Sequence, residues 1–263
     1  MPLTVLTYNI RNGAEPDRLD RVLRVVTAHH PDILALQELR HFDTDGGRRL
    51  GTVAAATKLV PYLARSRFGQ PVAVFVPTGA RVLRARPVRR PMHHAAMAVT
   101  VATDRGPLTV IGTHLNPYSG WRRRWEARWL AGRVRRERLA LVMGDLNTLD
   151  PWTDHTERLR ALDPQFRGRH LRRGTVDTRA VAVLAEAGLV DLFRRAGDPA
   201  GPDHTAPTTD GGGTEFSRMR LDYVLGTPGI AELTRDCRII SGGDAENASD
   251  HYPVLAEFDL SLD

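Results

Sequence analysis

Six short apolar segments of this sequence adjoin polar side chains of the types that bind metal ions or transfer protons. In chain order, the polar residues at these junctions are Asn9, Glu38, His114, Asp145 with Asn147, Asp222, and Asp250 with His251. Carboxylates and imidazoles are the side chains that most often act as general acids and bases. At the end of a rigid strand, such side chains can be held in a fixed geometry at the rim of a cleft. The repeated pattern therefore predicts a site assembled from several strand ends.

The segments that would position these residues have the length and composition of β-strands. Eight apolar runs are bounded by turn-forming or charged residues, and they cover residues 3–8, 33–36, 72–76, 96–101, 108–112, 139–143, 221–225 and 254–258. Three further stretches have the pattern of helices, namely residues 16–30, 122–138 and 178–187. Many strands with few helices favour packed sheets with helices on their outer faces. Since no linker, repeat or low-complexity tract divides the chain, residues 1–263 are predicted to form a single domain.

Composition and charge restrict the class of protein. The chain has 263 residues, of which 41% are hydrophobic and 26% charged, and these ordinary values exclude wholesale disorder. The net charge is 37 − 31 = +6, and every basic residue except Lys58 is an arginine. The planar, permanently charged arginine side chain suits phosphate groups, so the excess favours anionic partners. The alternative explanation is the codon usage of a GC-rich genome.

The sequence lacks the features of a secreted or membrane-spanning protein. No apolar run approaches the roughly 18 residues that would predict a membrane span. The first residues have the pattern of a strand rather than of a signal peptide. The single cysteine, Cys237, cannot form an internal disulfide. We therefore expect a cytoplasmic protein without a membrane span, and a monomer in the absence of any signal for assembly.

Six sequence motifs occur in the order found in one enzyme family. They are TYN at residues 7–9, LQE at 36–38, GTHL at 112–115, GDLN at 144–147, LDYVL at 221–225 and SDHYPV at 249–254. Together they resemble the endonuclease/exonuclease/phosphatase family, which includes DNase I-like nucleases, neutral sphingomyelinases and inositol-polyphosphate phosphatases. The resemblance spans residues 3 to 258. It implies an α+β fold, a four-layer α/β/β/α sandwich of two mixed β-sheets flanked by helices, with the site at one edge.

The resemblance also implies a metal-assisted hydrolysis of phosphoesters. Mg²⁺, or Mn²⁺ in its place, suits this chemistry because it binds oxygen ligands and keeps several of its waters. Glu38 is the predicted direct metal ligand. Asn9 is expected beside it, holding a metal-bound water or a phosphate oxygen, and Asp250 is a further candidate ligand.

The remaining motif residues are the predicted catalytic set. Asp145 is expected to orient the attacking water or act as its base, and Asn147 to donate to a phosphate oxygen. His251 is expected to contact the scissile phosphate, and His114 to be a second imidazole near the phosphate or the leaving group. A carboxylate partner would fix the tautomer of His251 and raise its basicity. The sequence leaves two candidates open for that partner: Asp222 and Asp250.

Three positions depart from the family pattern. Arg11 stands where the apurinic endonucleases have an aspartate, so it is predicted to contact a substrate phosphate instead. Where many members have an arginine, this chain reads PMHHAAMAV, so either His94 replaces that arginine or its function is absent. Residues 66–76 contain no carboxylate, although some nucleases have a second acidic ligand in this region, and this absence favours a single metal ion.

Residues 121–138 contain eight arginines and three tryptophans, and this composition allows two interpretations. The first interpretation is a helix that covers a sheet, with tryptophans and Leu130 inward and arginines in solvent. The alternative is a surface on which tryptophans stack with bases and arginines neutralise phosphates. Trp121 is the best candidate for such contact, and Asn116 lies in the preceding loop. The loops at 116–121, 148–175 and 197–220, including the arginine-rich residues 166–173, are expected to surround the cleft.

Three functions fit these features, all with an anionic phosphoester as the partner. The first is a metal-dependent phosphodiesterase or nuclease that acts on DNA or RNA, favoured by the arginine-rich segments. The alternative is a hydrolase of a small phosphoester (a nucleotide, sugar phosphate, lipid headgroup or biosynthetic intermediate), favoured by the short chain and the missing second carboxylate. The third, a catalytically inactive module that binds phosphate or nucleic acid, is disfavoured because every motif residue is present.

Overall fold

The computed structural model describes residues 2–262. The strands, numbered along the chain, are β1 (Leu3–Asn9), β2 (Ile33–Gln37), β3 (Leu59–Ala64), β4 (Val72–Pro77), β5 (Val82–Pro87), β6 (Ala95–Val101), β7 (Leu108–His114), β8 (Leu139–Asp145), β9 (Leu171–Arg172), β10 (Thr175–Val176), β11 (Val190–Asp191), β12 (Asp222–Gly226), β13 (Thr234–Ile239) and β14 (Val254–Phe258). The helices are α1 (Arg11–Ala14), α2 (Leu19–Ala28), α3 (Arg48–Thr57), α4 (Gly120–Ala131), α5 (Thr156–Ala161), α6 (Pro164–Arg167), α7 (Arg179–Glu186), α8 (Leu192–Ala196), α9 (Pro228–Glu232) and α10 (Ala245–Ala248), with a 3₁₀ turn at Asp45–Gly47.

Two six-stranded sheets carry the site. The first has the order β13-β14-β1-β2-β4-β3, and the second has the order β11-β12-β8-β7-β6-β5. Each sheet contains one parallel pair, β1 with β2 and β7 with β8, among otherwise antiparallel neighbours. Parallel neighbours end at the same edge, so β1 with β2 and β7 with β8 bring their carboxyl ends together in each sheet.

Buried apolar side chains divide into layers that confirm the predicted four-layer sandwich. One cluster joins the inner faces of the two sheets and continues through the first sheet to α2 and α3, where Val22, Val26 and Val53 are buried. A second cluster lies between the outer face of the second sheet and two helices, α4 and α7, through Leu130 and Leu184. Burial of these two faces is the main favourable contribution to folding. Within residues 2–262, no helix combines the length and the apolar character that crossing a bilayer requires.

The strands that the sequence pattern missed include those at the sheet edges. The first sheet ends in β3 and β13, and the second ends in β5. Most residues of β5 are exposed, and β13 alternates between partly exposed and buried positions. An edge strand packs on one face or less and tolerates charged residues, so it lacks the continuous apolar run of a central strand.

The predicted helix at 16–30 is shorter in the structure, where α2 covers only Leu19–Ala28. The chain before it cannot be helical because Asp17 has φ of +52°, and His30 after it has φ of +42°. The predicted helix at 178–187 corresponds closely to α7, Arg179–Glu186.

Helix α4 covers the second sheet as the first interpretation predicts, but only one of its three tryptophans faces inward. Trp129 is partly buried and packs with the buried Leu130 in the second cluster. Trp121 and Trp125 are exposed, whereas Arg123 and Glu126 are buried against the protein. The helix also ends at Ala131 rather than at 138, because the chain turns away after Gly132. Arg123 is stabilised inside the protein by donating hydrogen bonds to the carbonyl oxygens of Asn116, over 3.0 Å, and of Arg169.

A third apolar cluster lies beneath the loops predicted to surround the cleft. It consists of Leu149, Leu159, Leu162, Ala206, Met219 and Leu221, with Phe166 and Phe216 packed against it. We call this group the rim cluster. It draws its members from both long loops, 148–175 and 197–220, so the loops are joined to each other by their own buried side chains.

Candidate active site

The predicted residues converge at one edge of the sandwich. Asp145, at the end of β8, is paired in register with His114 at the end of β7 and with Asp222 at the start of β12. Asn9, at the end of β1 in the other sheet, donates a hydrogen bond from Nδ2 to Asp145 Oδ2 over 3.0 Å. The same oxygen lies 3.4 Å from His114 Nε2 and 3.9 Å from His251 Nε2. Two histidines and an amide from the facing sheet therefore surround one carboxylate oxygen.

Gly144 explains why the strand that carries Asp145 ends in Gly-Asp. Its φ is +141°, and a Cβ atom here would lie 1.9 Å from the carbonyl oxygen of Thr113 on β7. Only glycine tolerates both this backbone conformation and this close approach. The two strands can therefore run side by side to their ends, which places Asp145 opposite His114.

The two histidines beside Asp145 differ in charge because they differ in their partners. Burial lowers the pKa of His251, but the carboxylates of Asp222 and Asp145 outweigh burial and raise it well above its ordinary value. The Asp222 contact is the closer one, with Oδ2 2.7 Å from His251 Nδ1. For His114, burial and then the charge of His251 lower the pKa to about 3. At neutral pH the site thus contains one cationic and one neutral imidazole.

Asn147 holds the neutral histidine. Its Nδ2 donates to His114 Nε2 over 2.9 Å and to the Leu115 carbonyl oxygen over 3.1 Å. Its backbone N–H donates to Asp145 Oδ1 over 2.7 Å. These contacts fix the relative positions of Asp145 and His114.

His94 lies next to His114. Its ring stacks on that of His114, with the centroids 4.1 Å apart. Burial lowers the pKa of His94, so the ring is neutral at neutral pH. His94 therefore reaches the site, but it does not supply the positive charge of the arginine that it was expected to replace.

Glu38 is half-buried and joined to Asp145 through Asn9. Its Oε1 accepts a hydrogen bond from Asn9 Nδ2 over 3.1 Å, and its Oε2 accepts one from the backbone N–H of Asn12 over 2.8 Å. Glu38 has φ of +59°, so its backbone is no longer extended and β2 ends at the preceding residue, Gln37. The side chain of Glu38 therefore lies at the edge of the sheet. The two carboxylates thus share one amide donor.

Asp250 lies in an ion pair with Arg11. Arg11 Nε is 3.2 Å from Asp250 Oδ2, and the Arg11 side chain is 37% exposed. Burial raises the pKa of Asp250, and the charge of Glu38 contributes to the rise. Ser249 Oγ donates to the carbonyl oxygen of Asn9 over 2.7 Å, which ties the turn that carries Asp250 to the end of β1.

The oxygen atoms at this edge fit a small divalent cation. Besides the predicted group of Glu38, Asn9 and Asp250, atoms of Asp145, Asp222 and His251 lie within 4.8 Å of one another, but His251 contributes a nitrogen and its ring is already paired with Asp222. Asp222 Oδ1 is buried and has no hydrogen-bond partner within residues 2–262. Burial and then the charge of Asp222 raise the pKa of Asp145, so a cation bound beside it would favour its ionised form. Such oxygen donors suit Mg²⁺.

This geometry agrees with a comparison of whole sequences. The sequence model of the endonuclease/exonuclease/phosphatase family matches residues 6–251, which contain every residue of the site described above. The chain belongs to the endonuclease/exonuclease/phosphatase family. Its members act on phosphoester bonds, so the family places this protein among the nucleases and phosphoesterases. No curated protein sequence matches the chain.

Solved structures share the fold of this family member. An endonuclease/exonuclease/phosphatase from Bacteroides vulgatus has 20% identity and a TM-score of 0.72, with 100% of each chain covered. An AP endonuclease from Archaeoglobus fulgidus has 20% identity and a TM-score of 0.71, with 98% of this chain and 99% of that chain covered. D. rerio TDP2, solved in complex with a single strand DNA product, has 15% identity and a TM-score of 0.69, with the same shares covered. At these identities the likeness concerns the fold.

Trp121 and Asn116, which are predicted to contact the substrate, differ in their exposure to solvent. Trp121 is exposed at the start of α4. Asn116 is buried, and its Oδ1 accepts hydrogen bonds from the backbone N–H groups of Tyr118 and Ser119, over 2.9 and 2.7 Å. Asn116 therefore shapes the loop after β7, and its role in binding substrate stays a prediction, as does that of Trp121.

Two buried residues of α4 that support this loop, Glu126 and Arg123, are not predicted by the sequence pattern. Glu126 accepts hydrogen bonds from the backbone N–H groups of His93, over 2.6 Å, and of Asn116, over 2.7 Å. It lies on the same helix as the buried Arg123, in a segment so rich in arginine that neither residue stands out. Glu126 is the single acidic residue among 121–136, and this was the one available signal.

An aromatic surface next to the site was also missed. His93 stacks on Phe68, with centroids 4.5 Å apart, and its ring meets that of Tyr118 edge-on at 5.5 Å. Phe68 and Tyr118 are 56% and 62% exposed. Arg169 lies over the Tyr118 ring, 5.4 Å from its centroid. We call Phe68, His93 and Tyr118 the aromatic shelf, and it reaches the site through the ring of His94, 4.5 Å from His93.

Proposed function

We propose that this protein is a divalent-metal-dependent phosphodiesterase that cleaves nucleic acid. The observation that carries the proposal is the convergence on Asp145 Oδ2 of Asn9, His114 and His251, at 3.0, 3.4 and 3.9 Å. Hydrolysis of a phosphodiester requires an aimed water, neutralised phosphoryl oxygens and a stabilised leaving oxygen. A carboxylate between a cationic and a neutral imidazole has the groups for each of these tasks.

The roles follow from the contacts of each side chain. Asp145 orients the attacking water through the oxygen that faces the two histidines. His251, held by Asp222 at 2.7 Å, presents its Nε2–H to a phosphoryl oxygen or to the leaving oxygen. His114 is neutral and held by Asn147, so it positions the water or the phosphate without adding charge. Arg11, which is partly exposed beside Asp250, would contact a second phosphate oxygen.

Glu38, with Asn9 and Asp250 next to it, would hold the metal ion. When bound, a Mg²⁺ or Mn²⁺ ion would neutralise the phosphoryl oxygens and lower the barrier to attack. The chain's own contribution is the fixed placement of Glu38 by two hydrogen bonds, from Asn9 and from the backbone of Asn12. The ion pair of Asp250 with Arg11 places a cation on the same side of the site.

The aromatic shelf favours a substrate that carries bases, such as nucleic acid, over a sugar phosphate or a lipid headgroup. A base attached to the scissile phosphate can stack on an exposed ring, and such stacking stabilises single-stranded nucleic acid by about 1–3 kcal/mol per base. Phe68 and Tyr118 present exposed rings that are linked to His114 through the rings of His93 and His94, and Arg169 adds a cation above Tyr118. A small phosphate substrate without a base would leave this surface unused.

A panel of substrates tests the proposal. Purified protein with Mg²⁺ or Mn²⁺ should cleave plasmid or single-stranded nucleic acid and, more slowly, a generic phosphodiester, and a chelator should abolish the activity. Asp145→Asn should lower the rate by about 10²-fold or more, and Asp20→Asn, which changes an exposed aspartate on α2, should leave it unchanged. Cleavage of phosphomonoesters alone would favour the small-substrate alternative. No turnover on any substrate, or turnover that resists the chelator, would refute the proposal.

A further inference from the structure

A second concave surface lies away from the active site, on the outer face of the second sheet. Its volume is about 1110 Å³, and its floor includes Ala98, Thr100, Thr109 and Ile111 of β6 and β7. Its walls are the edge strand β5 and the segment 132–138, which follows α4. The groove exists because α4 ends at Ala131, so this half of the sheet face has no helix over it.

Arginine dominates the walls of this groove. Six arginines line it, three from the β5 side and three from the segment after α4: Arg84, Arg86, Arg89, Arg133, Arg135 and Arg138. All six are exposed. No carboxylate is among the lining residues. We call this surface the arginine groove.

The arginines of the groove also lack acidic partners elsewhere. None of the six forms an ion pair with any residue in the range 2–262, whereas other surface arginines such as Arg24 and Arg179 lie 2.7 and 2.6 Å from aspartate oxygens. Six like charges around one concavity repel each other, and the low-dielectric floor strengthens the field. Binding of an anion with several charges would relieve this repulsion. The absence of internal partners leaves the guanidinium donors available for that anion.

We propose that the arginine groove binds the phosphate backbone of a nucleic-acid strand whose scissile phosphate lies at Asp145. The identity of this ligand rests on the proposed function, while the anion-binding surface does not. The groove is larger than a small phosphate requires, and cations on two facing walls match a chain of regularly spaced phosphates. The arginines bind the backbone without reading its sequence.

The distance between groove and site sets a minimum length for the substrate. From Thr109, on the groove floor, to His114 the chain advances five residues along β7, about 17 Å at roughly 3.3 Å per residue. A strand must therefore cross about 17 Å from Thr109 to occupy both surfaces, which requires several nucleotides. A dinucleotide can reach only the active site.

Binding experiments test the groove without relying on catalysis. The protein carries Asp145→Asn to prevent cleavage, and the affinity for a labelled single-stranded 15-mer is measured over a range of salt concentrations. The variant R84Q/R86Q/R135Q should make the slope of log K against log salt less negative by about 2, since each phosphate contact contributes about −0.7 on single strands. The control R21Q/R48Q/R195Q removes three exposed arginines outside the groove, with the same change in net charge. Equal slopes for the two variants would overturn the proposal.

A second measurement separates this proposal from the proposed function. With Asp145 intact, R84Q/R86Q/R135Q should raise KM for the 15-mer and leave KM and kcat for a dinucleotide or a generic phosphodiester unchanged. If the chain has no phosphodiesterase activity but the groove variant alone loses salt-dependent binding, the proposed function fails and the groove stands. If the groove variant instead loses binding to anionic phospholipid vesicles while it binds the 15-mer as well as the control does, the groove proposal is refuted.

Discussion

Replacement of Asp222 by asparagine should remove the positive charge of His251 while keeping the hydrogen bond between them. Asparagine Oδ1 can still accept from His251 Nδ1, which lies 2.7 Å from the present carboxylate. Two opposite unit charges at this distance interact by about 6 kcal/mol with an effective dielectric constant near 20, equivalent to a change of about 4 in pKa. Since burial alone lowers the pKa of His251, the ring in Asp222→Asn should be neutral at pH 7.

The assay for this prediction is the cleavage rate as a function of pH. We expect Asp222→Asn to lose about 10²–10⁴-fold in kcat at pH 7, the range found for general acid–base groups. The remaining activity should rise as pH falls, because protonation of His251 then returns the charge. Unfolding by urea should establish that the variant is folded, and Asp20→Asn is the control for an exposed carboxylate.

A double variant decides whether Asp222 acts through His251. If it does, Asp222→Asn combined with His251→Gln should be no slower than His251→Gln alone, since residues that act as a unit are not additive. Additive losses would refute the pairing as the source of the effect. A wild-type rate and pH profile in Asp222→Asn would refute the role of the cationic imidazole itself.

Three further predictions concern stability and substrate affinity. Arg220→Leu should lower the free energy of unfolding by about 3–5 kcal/mol, since Arg220 Nη2 lies 2.6 Å from Asp191 and 3.3 Å from Asp150 in the interior; urea unfolding measures this loss. Burial lowers the pKa of His170 to about 3, so the unfolded state binds a proton first and stability falls by about 1.4 kcal/mol per pH unit below about 6.5. His170→Gln should reduce the slope of stability against pH by this amount in unfolding curves taken at several pH values, and the buried His114 and His94 should maintain the rest of the slope. Tyr118→Ala should raise KM for single-stranded nucleic acid about tenfold, which steady-state kinetics would detect.

Each of these predictions has a matched control. Arg195→Leu changes an exposed arginine, and an equal loss of stability in it would contradict the role of the buried Arg220 ion pairs. His30→Gln changes an exposed histidine, so the slope of stability with pH should survive in it; survival of the same slope in His170→Gln would show the reasoning to be wrong. Tyr118→Phe keeps the ring, and a KM equal to that of Tyr118→Ala would exclude stacking as the cause.

The placement of the catalytic set could be predicted from the sequence because each of its parts is local. Apolar runs that end in Asn9, His114 or Asp145 identify both the strand and the residue at its tip. The same runs predicted packed sheets with helices on their outer faces, the family resemblance implied the four-layer sandwich, and the structure confirms both. The predicted metal ligands and the individual catalytic roles remain predictions, although the residues do lie at one edge.

The electrostatics of the site could not be predicted in the same way. The different charges of His114 and His251 depend on which of them meets Asp222, a contact between residues 29 positions apart in the chain. The sequence left both Asp222 and Asp250 open as that partner. Asp250 is instead paired with Arg11 at the other end of the chain, a contact that no local pattern contains.

The rim cluster has a consequence for how the site can change. Its buried side chains, among them Leu159, Leu162 and Met219, are distinct from the two clusters that hold the sheets and helices together. Elements with their own cooperative packing can open or be replaced at a cost lower than global unfolding. The loops around the cleft are therefore a module that could be transplanted as one piece. Evolution can therefore change the loop residues around the cleft while the proposed catalytic residues at the strand ends keep their positions.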